Sequence, residues 1–362
     1  MLIYIAENYI NYFSFLNLFT YISFRTGGAI LTALLFSLVF GDLIINFLSS
    51  IQPTGQPIRT DGPESHIFKK SGTPSMGGLL ILSSILVSVL IWTDLSNIFI
   101  WITLVSTIAF GLIGLLDDYK KIRLQNSNGL KATTRIIIQI LFGSIIVFLI
   151  YLSLPQESNT IINFPFFKNF FIDLGLFYLP FGIFLIIGSA NAVNLTDGLD
   201  GLAIVPVMIV AMSFALISYV SGNIIFSNYL HIRFIPGTGE LAVMCGALVG
   251  SALGFLWFNA PPAKVFMGDT GSLSMGGTLG SLALITKHEI VLAIIGGLFV
   301  LETLSVIIQV LSFKLTGKRI FQMAPLHHHF EKKGWAESTI VIRFWIITIV
   351  LALIGLATLK IR

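Results

Sequence analysis

Apolar runs of about twenty residues, each closed by a short polar stretch, recur along this chain from residue 25 to its end. A membrane-spanning helix needs about 20 consecutive apolar residues. Ten segments reach or approach that length: 25–48, 75–93, 98–116, 134–154, 173–193, 200–220, 239–258, 271–286, 288–312 and 338–359. The pattern predicts an all-α, polytopic integral membrane protein with about ten transmembrane helices. Neither a soluble domain nor a repeat nor a low-complexity tract stands out between them, so residues 1–362 read as one transmembrane domain. Residues 1–24 read as an N-terminal apolar, interfacial or re-entrant segment.

Composition agrees with this pattern. The chain is 55% hydrophobic and 10% charged, with a mean hydropathy of +0.92, whereas soluble domains carry roughly a quarter charged residues. A scattered net charge of +4 gives no case for nucleic acid as a partner. Cys245 is the only cysteine, which excludes an intrachain disulfide and a cysteine-based zinc site. Residues 1–24 contain no Lys or Arg and so lack the basic start of a cleaved signal peptide.

The basic residues orient the chain. Odd-numbered connections hold thirteen Lys or Arg and even-numbered ones hold three, Lys168, Arg233 and Lys287. Positively charged loops stay cytoplasmic, so the odd connections are expected inside and both termini in the periplasm.

Every dense polar cluster also falls on an odd connection. The first carries Lys69 to Gly78, the third the pair Asp117 and Asp118, the fifth Asn191 to Gly201, the seventh Asn259 to Ser272 and the ninth Ala324 to Glu331. Two adjacent carboxylates at a helix C-terminus oppose the helix dipole and raise each other's pKa unless a cation is present. Balance by Lys120 and Lys121 is one resolution; a divalent metal or cationic substrate group is the other. In the fifth connection, Asp197 and Asp200 lie in Asp-Gly steps that suit tight turns. The neighbouring Asn191 and Asn194 add the oxygen-rich character that suits Mg²⁺. Asp269 stands at a helix start, where it can cap the helix, present a carboxylate to a metal, or adjoin backbone N–H groups that hold phosphate.

His327, His328 and His329 form an internal run. Three consecutive residues cannot easily face one metal ion, and imidazoles donating to phosphate oxygens fit better. Within the spans, Asp42 and Glu302 are ionisable groups that need a partner or a cavity. Glu302, Ser305 and Gln309 share one face of the ninth segment, which suits either a helix-to-helix bond or a substrate contact.

Taken in order, Lys-Lys-x-Gly-Thr-Pro, Leu-Asp-Asp-Tyr, Asn-Ala-Val-Asn-Leu-Thr-Asp-Gly-Leu-Asp-Gly, Phe-Met-Gly-Asp-Thr-Gly-Ser and Pro-Leu-His-His-His-Phe-Glu closely resemble the phospho-N-acetylmuramoyl-pentapeptide transferase family, over residues 25–362. Ser75 stands where that pattern has Thr and keeps the hydroxyl. The resemblance implies transfer of phospho-N-acetylmuramoyl-pentapeptide from its UDP carrier to undecaprenyl phosphate, giving lipid I and UMP, the first membrane step of peptidoglycan synthesis. It also implies a multi-pass protein of the bacterial inner membrane, often a homodimer, with a cytoplasmic site and Mg²⁺ as cofactor.

Carried onto this sequence, the resemblance marks Asp117, Asp118, Asp269 and His328 as catalytic. It marks Asp269, Asn194 and Asp117 as metal contacts. Lys70, Lys131, Asn191, Asp197, Gly198, Leu199, Asp200, Asn259, Phe266, Gln309, His327 and His329 are marked as substrate-binding, with Gly198, Leu199, Asp200, Asn259 and Phe266 around the uridine. A phosphate monoester has its second pKa near 6, so the lipid phosphate needs little activation. The larger demand is neutralising charge as one anion attacks another. A two-step route through an aspartyl phosphate is the alternative. A sibling polyprenyl-phosphate N-acetylhexosamine-1-phosphate transferase shares the aspartate motifs but not the His run. A secondary transporter would be expected to gather its carboxylates at mid-membrane.

Overall fold

The computed structural model describes residues 1–55, 72–126, 129–167 and 170–360. Lys70 lies outside them. Apolar runs become helix because backbone in hydrocarbon must satisfy its own hydrogen bonds. In chain order the helices are α1 (Leu2–Tyr9), α2 (Ile22–Ile51), α3 (Gly78–Trp92), α4 (Ile98–Leu124), α5 (Ala132–Ser153), α6 (Tyr178–Thr196) and α7 (Ile204–Ser221). They continue with α8 (Ile224–Leu230), α9 (Leu241–Asn259), α10 (Gly268–Thr286), α11 (Glu289–Ile295), α12 (Gly297–Thr316), α13 (Leu326–Lys332) and α14 (Glu337–Ala357). Among the described residues, eight helices are long and apolar enough to cross a membrane. α3 is a shorter apolar helix, and α10 is diluted by Gly, Ser and Thr.

Two features depart from the expected pattern. The segment expected as one helix over 288–312 is two, because the chain leaves helical geometry at Gly296 (φ −84, ψ 19), and α12 then runs on to Thr316. The chain is expected to be all-α, yet the fourth connection folds into a small antiparallel hairpin of β1 (Ile161–Asn163) and β2 (Phe171–Asp173), with Ile162 opposite Ile172. β-Branched and aromatic residues there favour extended backbone.

Small residues let the helices approach closely, the means by which helices associate without a hydrophobic drive between them. α2 buries Ala29, Ala33, Ser37 and Gly41, spaced by four. α2 meets Gly246, Gly250 and Gly254 of α9 through Thr26, Ile30 and Ser37, and a Cβ added to Gly250 would come within 2.1 Å of the Ile30 carbonyl oxygen. The two helices run parallel. α4 and α10 run antiparallel, with the Thr107 and Thr278 hydroxyls 2.8 Å apart and Ser281 donating to Ser106 at 2.8 Å. At their far end, a Cβ on Gly114 would meet the Asp269 carbonyl oxygen at 2.1 Å. This approach sets the C-terminal end of α4 beside the start of α10.

The opposite end of the bundle is pinned by charge. Buried Arg25 is bidentate on Glu240, which also accepts the Asp94 amide at 2.7 Å. Lys287, with no exposed surface, lies 3.4 Å from Glu289 Oε1 and 3.6 Å above the Tyr178 ring, and donates to the Asn159 carbonyl at 3.3 Å. Burial pushes its ammonium down to about 8, although Glu289 opposes the shift. In residues 1–24, α1 and a 3₁₀ turn over Ser14–Thr20 leave Tyr4, Tyr9, Tyr12, Phe13 and Phe15 exposed. The Met1 ammonium donates to the Leu90 carbonyl at 3.2 Å, folding this segment back to α3.

Candidate active site

Asp118 lies near the C-terminal end of α4 and is 1% exposed. Its Oδ2 accepts the Thr270 amide at 2.9 Å and the Thr270 hydroxyl at 2.7 Å, and its Oδ1 accepts the Asp269 amide at 3.2 Å. The first N–H groups of a helix have no partner within it, and Asp118 supplies one from a different helix. The cap expected from Asp269 therefore comes from Asp118, since α10 has no side-chain cap of its own. Gly268 adopts φ +71 here, and a Cβ on it would stand 2.6 Å from Asp118 Oδ2 and 2.7 Å from Ser75 Oγ.

The first connection joins at the same point. The Phe266 amide donates to the Pro74 carbonyl, and the Gly77 and Gly78 amides donate to the Phe266 and Met267 carbonyls, each at 2.9 Å. Gln52 fixes Ser75 from the end of α2 by paired bonds of 2.9 and 3.2 Å. Ser75 Oγ is buried with no hydrogen-bond partner.

With its backbone fixed in this way, Asp269 directs its carboxylate toward α6 and α5. Oδ1 accepts from Asn194 Nδ2 at 2.9 Å, and that same nitrogen lies 2.8 Å from Ser272 Oγ. Asn194 thus orients Asp269 through its amide nitrogen. Oδ2 lies 3.0 Å from Lys121 Nζ and 3.3 Å from Arg135 Nη1. Asp117, 2% exposed, accepts the Leu130 amide on Oδ1 at 2.7 Å and meets Lys121 Nζ on Oδ2 at 2.6 Å. One oxygen from each of Asp117, Asp118 and Asp269 lies within 4.8 Å of the others. Hard carboxylate oxygens at that spacing fit a divalent cation such as Mg²⁺.

The His run is attached through α12. Glu302, wholly buried, accepts the Leu326 amide at 2.6 Å, the His327 amide at 3.2 Å and His327 Nδ1 at 3.2 Å. Of the two roles the sequence allowed it, the structure assigns the helix-to-helix bond, from α12 to the first turn of α13. The bond fixes the Nδ1–H form of His327, whose buried Nε2 has no hydrogen-bond partner. That nitrogen faces Gly198, where an added Cβ would come within 2.2 Å of it. His328 Nδ1 lies 2.6 Å from Glu331 Oε2.

Several predicted substrate contacts engage protein partners. Gln309 accepts the Ile320 and Phe321 amides at 3.0 Å and donates to the Phe321 carbonyl at 2.9 Å, bracing the loop before α13. His329 Nδ1 accepts the Gln322 amide at 3.1 Å, while burial and then Lys333 hold its pKa below the usual histidine value. Asn191 donates to Gln139 Oε1 at 2.9 Å. Asp200 accepts the Ala263 amide at 3.1 Å, and Asn259 joins the Gly201 amide at 3.0 Å to the Val265 carbonyl at 2.8 Å. Leu199 packs with Leu202, Leu298 and Ile340. Asp197 is half-buried at the end of α6, and Lys131 is exposed at the start of α5. Asp42 is exposed on α2, apart from these groups.

Sequence reasoning passed over Arg135 and Thr270. Lys121, weighed there only as a balance for the Asp117 and Asp118 pair, also reaches Asp269 on another helix. Arg135 carries charge in the first turn of an apolar helix, the same signal that singled out Glu302.

The site joins carboxylates, fixed cations and a helix start at one end of a helical bundle. The comparisons define its class: the model of glycosyl transferase family 4 matches residues 100–287. The phospho-N-acetylmuramoyl-pentapeptide-transferase signature 1 matches residues 70–82. The phospho-N-acetylmuramoyl-pentapeptide-transferase of Pelagibacter ubique (strain HTCC1062) is 59% identical over 362 residues, 100% of each chain. The chain therefore belongs to the phospho-N-acetylmuramoyl-pentapeptide transferase family.

Proposed function

We propose that this enzyme transfers phospho-N-acetylmuramoyl-pentapeptide from UDP-N-acetylmuramoyl-pentapeptide to undecaprenyl phosphate, forming lipid I and UMP. The observation that carries this reading is the contact chain Ser75, Asp118, Asp269 and Asn194, with Gly198 and His327 at the end of α6. In it, polar clusters from five separate connections meet at one end of the bundle.

In this reading ten helices cross the bacterial inner membrane: the eight long ones together with α3 and α10. Both termini lie in the periplasm, and the carboxylate end faces the cytoplasm. The excess of Lys and Arg on odd connections supports that orientation. Residues 1–362 form one domain, and the exposed aromatic rings of residues 1–24 suit an interfacial position, where aromatic belts form. A second copy of the chain is the proposed protein partner.

A lipid phosphate oxygen attacks the β-phosphorus of the nucleotide. The new P–O bond forms as the bridge to the α-phosphorus breaks, and UMP leaves. Asp117 accepts a residual proton from the lipid phosphate or orients it. Asp269 and Asp117, with Asn194 alongside, would hold Mg²⁺, which supplies charge neutralisation at the phosphates. His328, His327, Lys131 and Lys70 are proposed to hold phosphate oxygens. Gly198, Leu199, Asp200, Asn259 and Phe266 are proposed around the uridine. Asp118 holds the start of α10, and Gln309, His329, Asn191 and Asp197 shape the walls.

The test is UMP release by purified protein from UDP-N-acetylmuramoyl-pentapeptide, with and without undecaprenyl phosphate and Mg²⁺. Release that requires both supports the assignment. Preference for UDP-N-acetylhexosamine alone would move the chain to the sibling activity. Labelled phosphate left on the protein after an acid quench would replace direct attack by the two-step route.

A further inference from the structure

Lys121 stands where a metal ion would be neutralised. Its Nζ is 2.6 Å from Asp117 Oδ2, 3.0 Å from Asp269 Oδ2 and 3.7 Å from Asp118 Oδ1. These are the same three carboxylates whose oxygens gather within 4.8 Å. The side chain is only 14% exposed, so this is an enclosed ammonium rather than a solvated one.

Mg²⁺ draws its oxygen ligands in to about 2.0–2.1 Å. An ammonium ion-paired with these carboxylates and a dication bound to them would stand within a few ångströms of each other, at full charge and largely shielded from water. The two occupancies exclude each other. Of the two cations on Asp269, Arg135 carries a rigid planar fork, whereas Lys121 carries a compact charge on a flexible four-carbon stem. Lys121 is the one that can leave. Once displaced, an ammonium at the rim of a phosphate site has a natural new partner in a phosphate oxygen.

We infer that Lys121 is the resident counter-ion of the carboxylate cluster, displaced when a divalent cation enters and then available to hold the phosphates of the incoming nucleotide diphosphate. This rests on the metal reading above. It makes free metal bind weakly until an anion is present to receive the lysine, since coupling between two ligands is reciprocal.

Two measurements on the full-length purified protein test it, neither of them a rate. The first is Mn²⁺ affinity by electron paramagnetic resonance, with Asp269→Asn marking which signal belongs to this site. Lys121→Met is expected to bind Mn²⁺ about tenfold more tightly than wild type, within the usual range of such couplings, and Lys121→Arg is expected to match wild type. The second needs no variant: acylation of Lys121 by an amine-reactive reagent, read by mass spectrometry against exposed Lys318, should rise several-fold when Mn²⁺ is added. Equal Mn²⁺ affinity in wild type and Lys121→Met, or labelling unchanged by Mn²⁺ that does bind, overturns the role of Lys121 and leaves the metal site standing. Absence of any Mn²⁺ signal dependent on Asp269 overturns both.

Discussion

Asp118→Ala separates holding from chemistry among three carboxylates that sit side by side. Asp118 spends its oxygens on the first turn of α10, whereas Asp117 and Asp269 point theirs at Lys121. Removing the Asp118 carboxylate strands the amides of Asp269 and Thr270 at a position with 1% exposure. Each stranded buried donor costs about 1–3 kcal/mol, and the Thr270 hydroxyl can turn to a backbone carbonyl and drop out of the count. Less crowding among the carboxylates is largely offset by the lost attraction to Lys121, 3.7 Å from Asp118, and the balance is taken to return about 1 kcal/mol. The net loss is about 3 kcal/mol, and at about 2 °C per kcal/mol for a long chain Tm falls by about 6 °C. Asp269→Asn keeps an acceptor for Asn194 and removes one of three like charges. Its Tm should stay within about 2 °C of wild type, while UMP release falls by about 100-fold or more, as for loss of a group that stabilises transition-state charge. Thermal unfolding in detergent followed by intrinsic fluorescence, paired with UMP release, reads both. An Asp118→Ala protein with wild-type Tm would refute the reasoning, as would an Asp269→Asn protein that loses as much Tm as Asp118→Ala.

Glu302→Gln keeps the shape of a side chain that accepts three N–H groups; with its oxygen toward Leu326, its nitrogen faces His327 Nδ1. The ring proton should move to Nε2, visible in histidine side-chain ¹⁵N shifts, and UMP release should fall about tenfold or more, a barrier change of about 1.4 kcal/mol; an unchanged tautomer would refute it. Gly198→Ala places a methyl group 2.2 Å from His327 Nε2, so release should fall with little loss of Tm, and a fully active variant would separate His327 from the site. Lys287 titrates near 8 when folded and at 10.5 when free. Between those values the unfolded chain binds more protons, so stability rises with pH there by up to about 3 kcal/mol. The Tm of wild type relative to Lys287→Met should climb from pH 8 to 10, and a flat difference would show that burial does not shift the ammonium.

The helices were legible because hydrocarbon leaves the backbone few alternatives, and the two departures from the expected pattern lie where that constraint is weakest. Gly296 breaks a helix at a residue with no side chain to pack, and the hairpin of β1 and β2 lies in a connection between spans. The site was legible to a lesser degree. Carboxylates and histidines stood out because charge is scarce in this chain, but scarcity says nothing about which partner each one meets. Asp118 and Asp117 are neighbours with the same chemistry, and only the approach of Gly114 to the Asp269 carbonyl makes one an anchor for α10 and leaves the other facing Lys121. Lys121 was legible only as a local balance for Asp117 and Asp118, since its contact with Asp269 depends on the approach of α10. The same residue can serve both purposes: a charge that counts toward orientation also lies close enough to the carboxylates to stand in for a metal. For Gln309 and His329 the sequence offered polar groups on either side of the ninth connection, and the structure engages them in holding the loop between α12 and α13 in shape. A polar residue in a motif is therefore evidence for the site's architecture first, and for contact with substrate only where a buried atom such as His327 Nε2 is left without a protein partner.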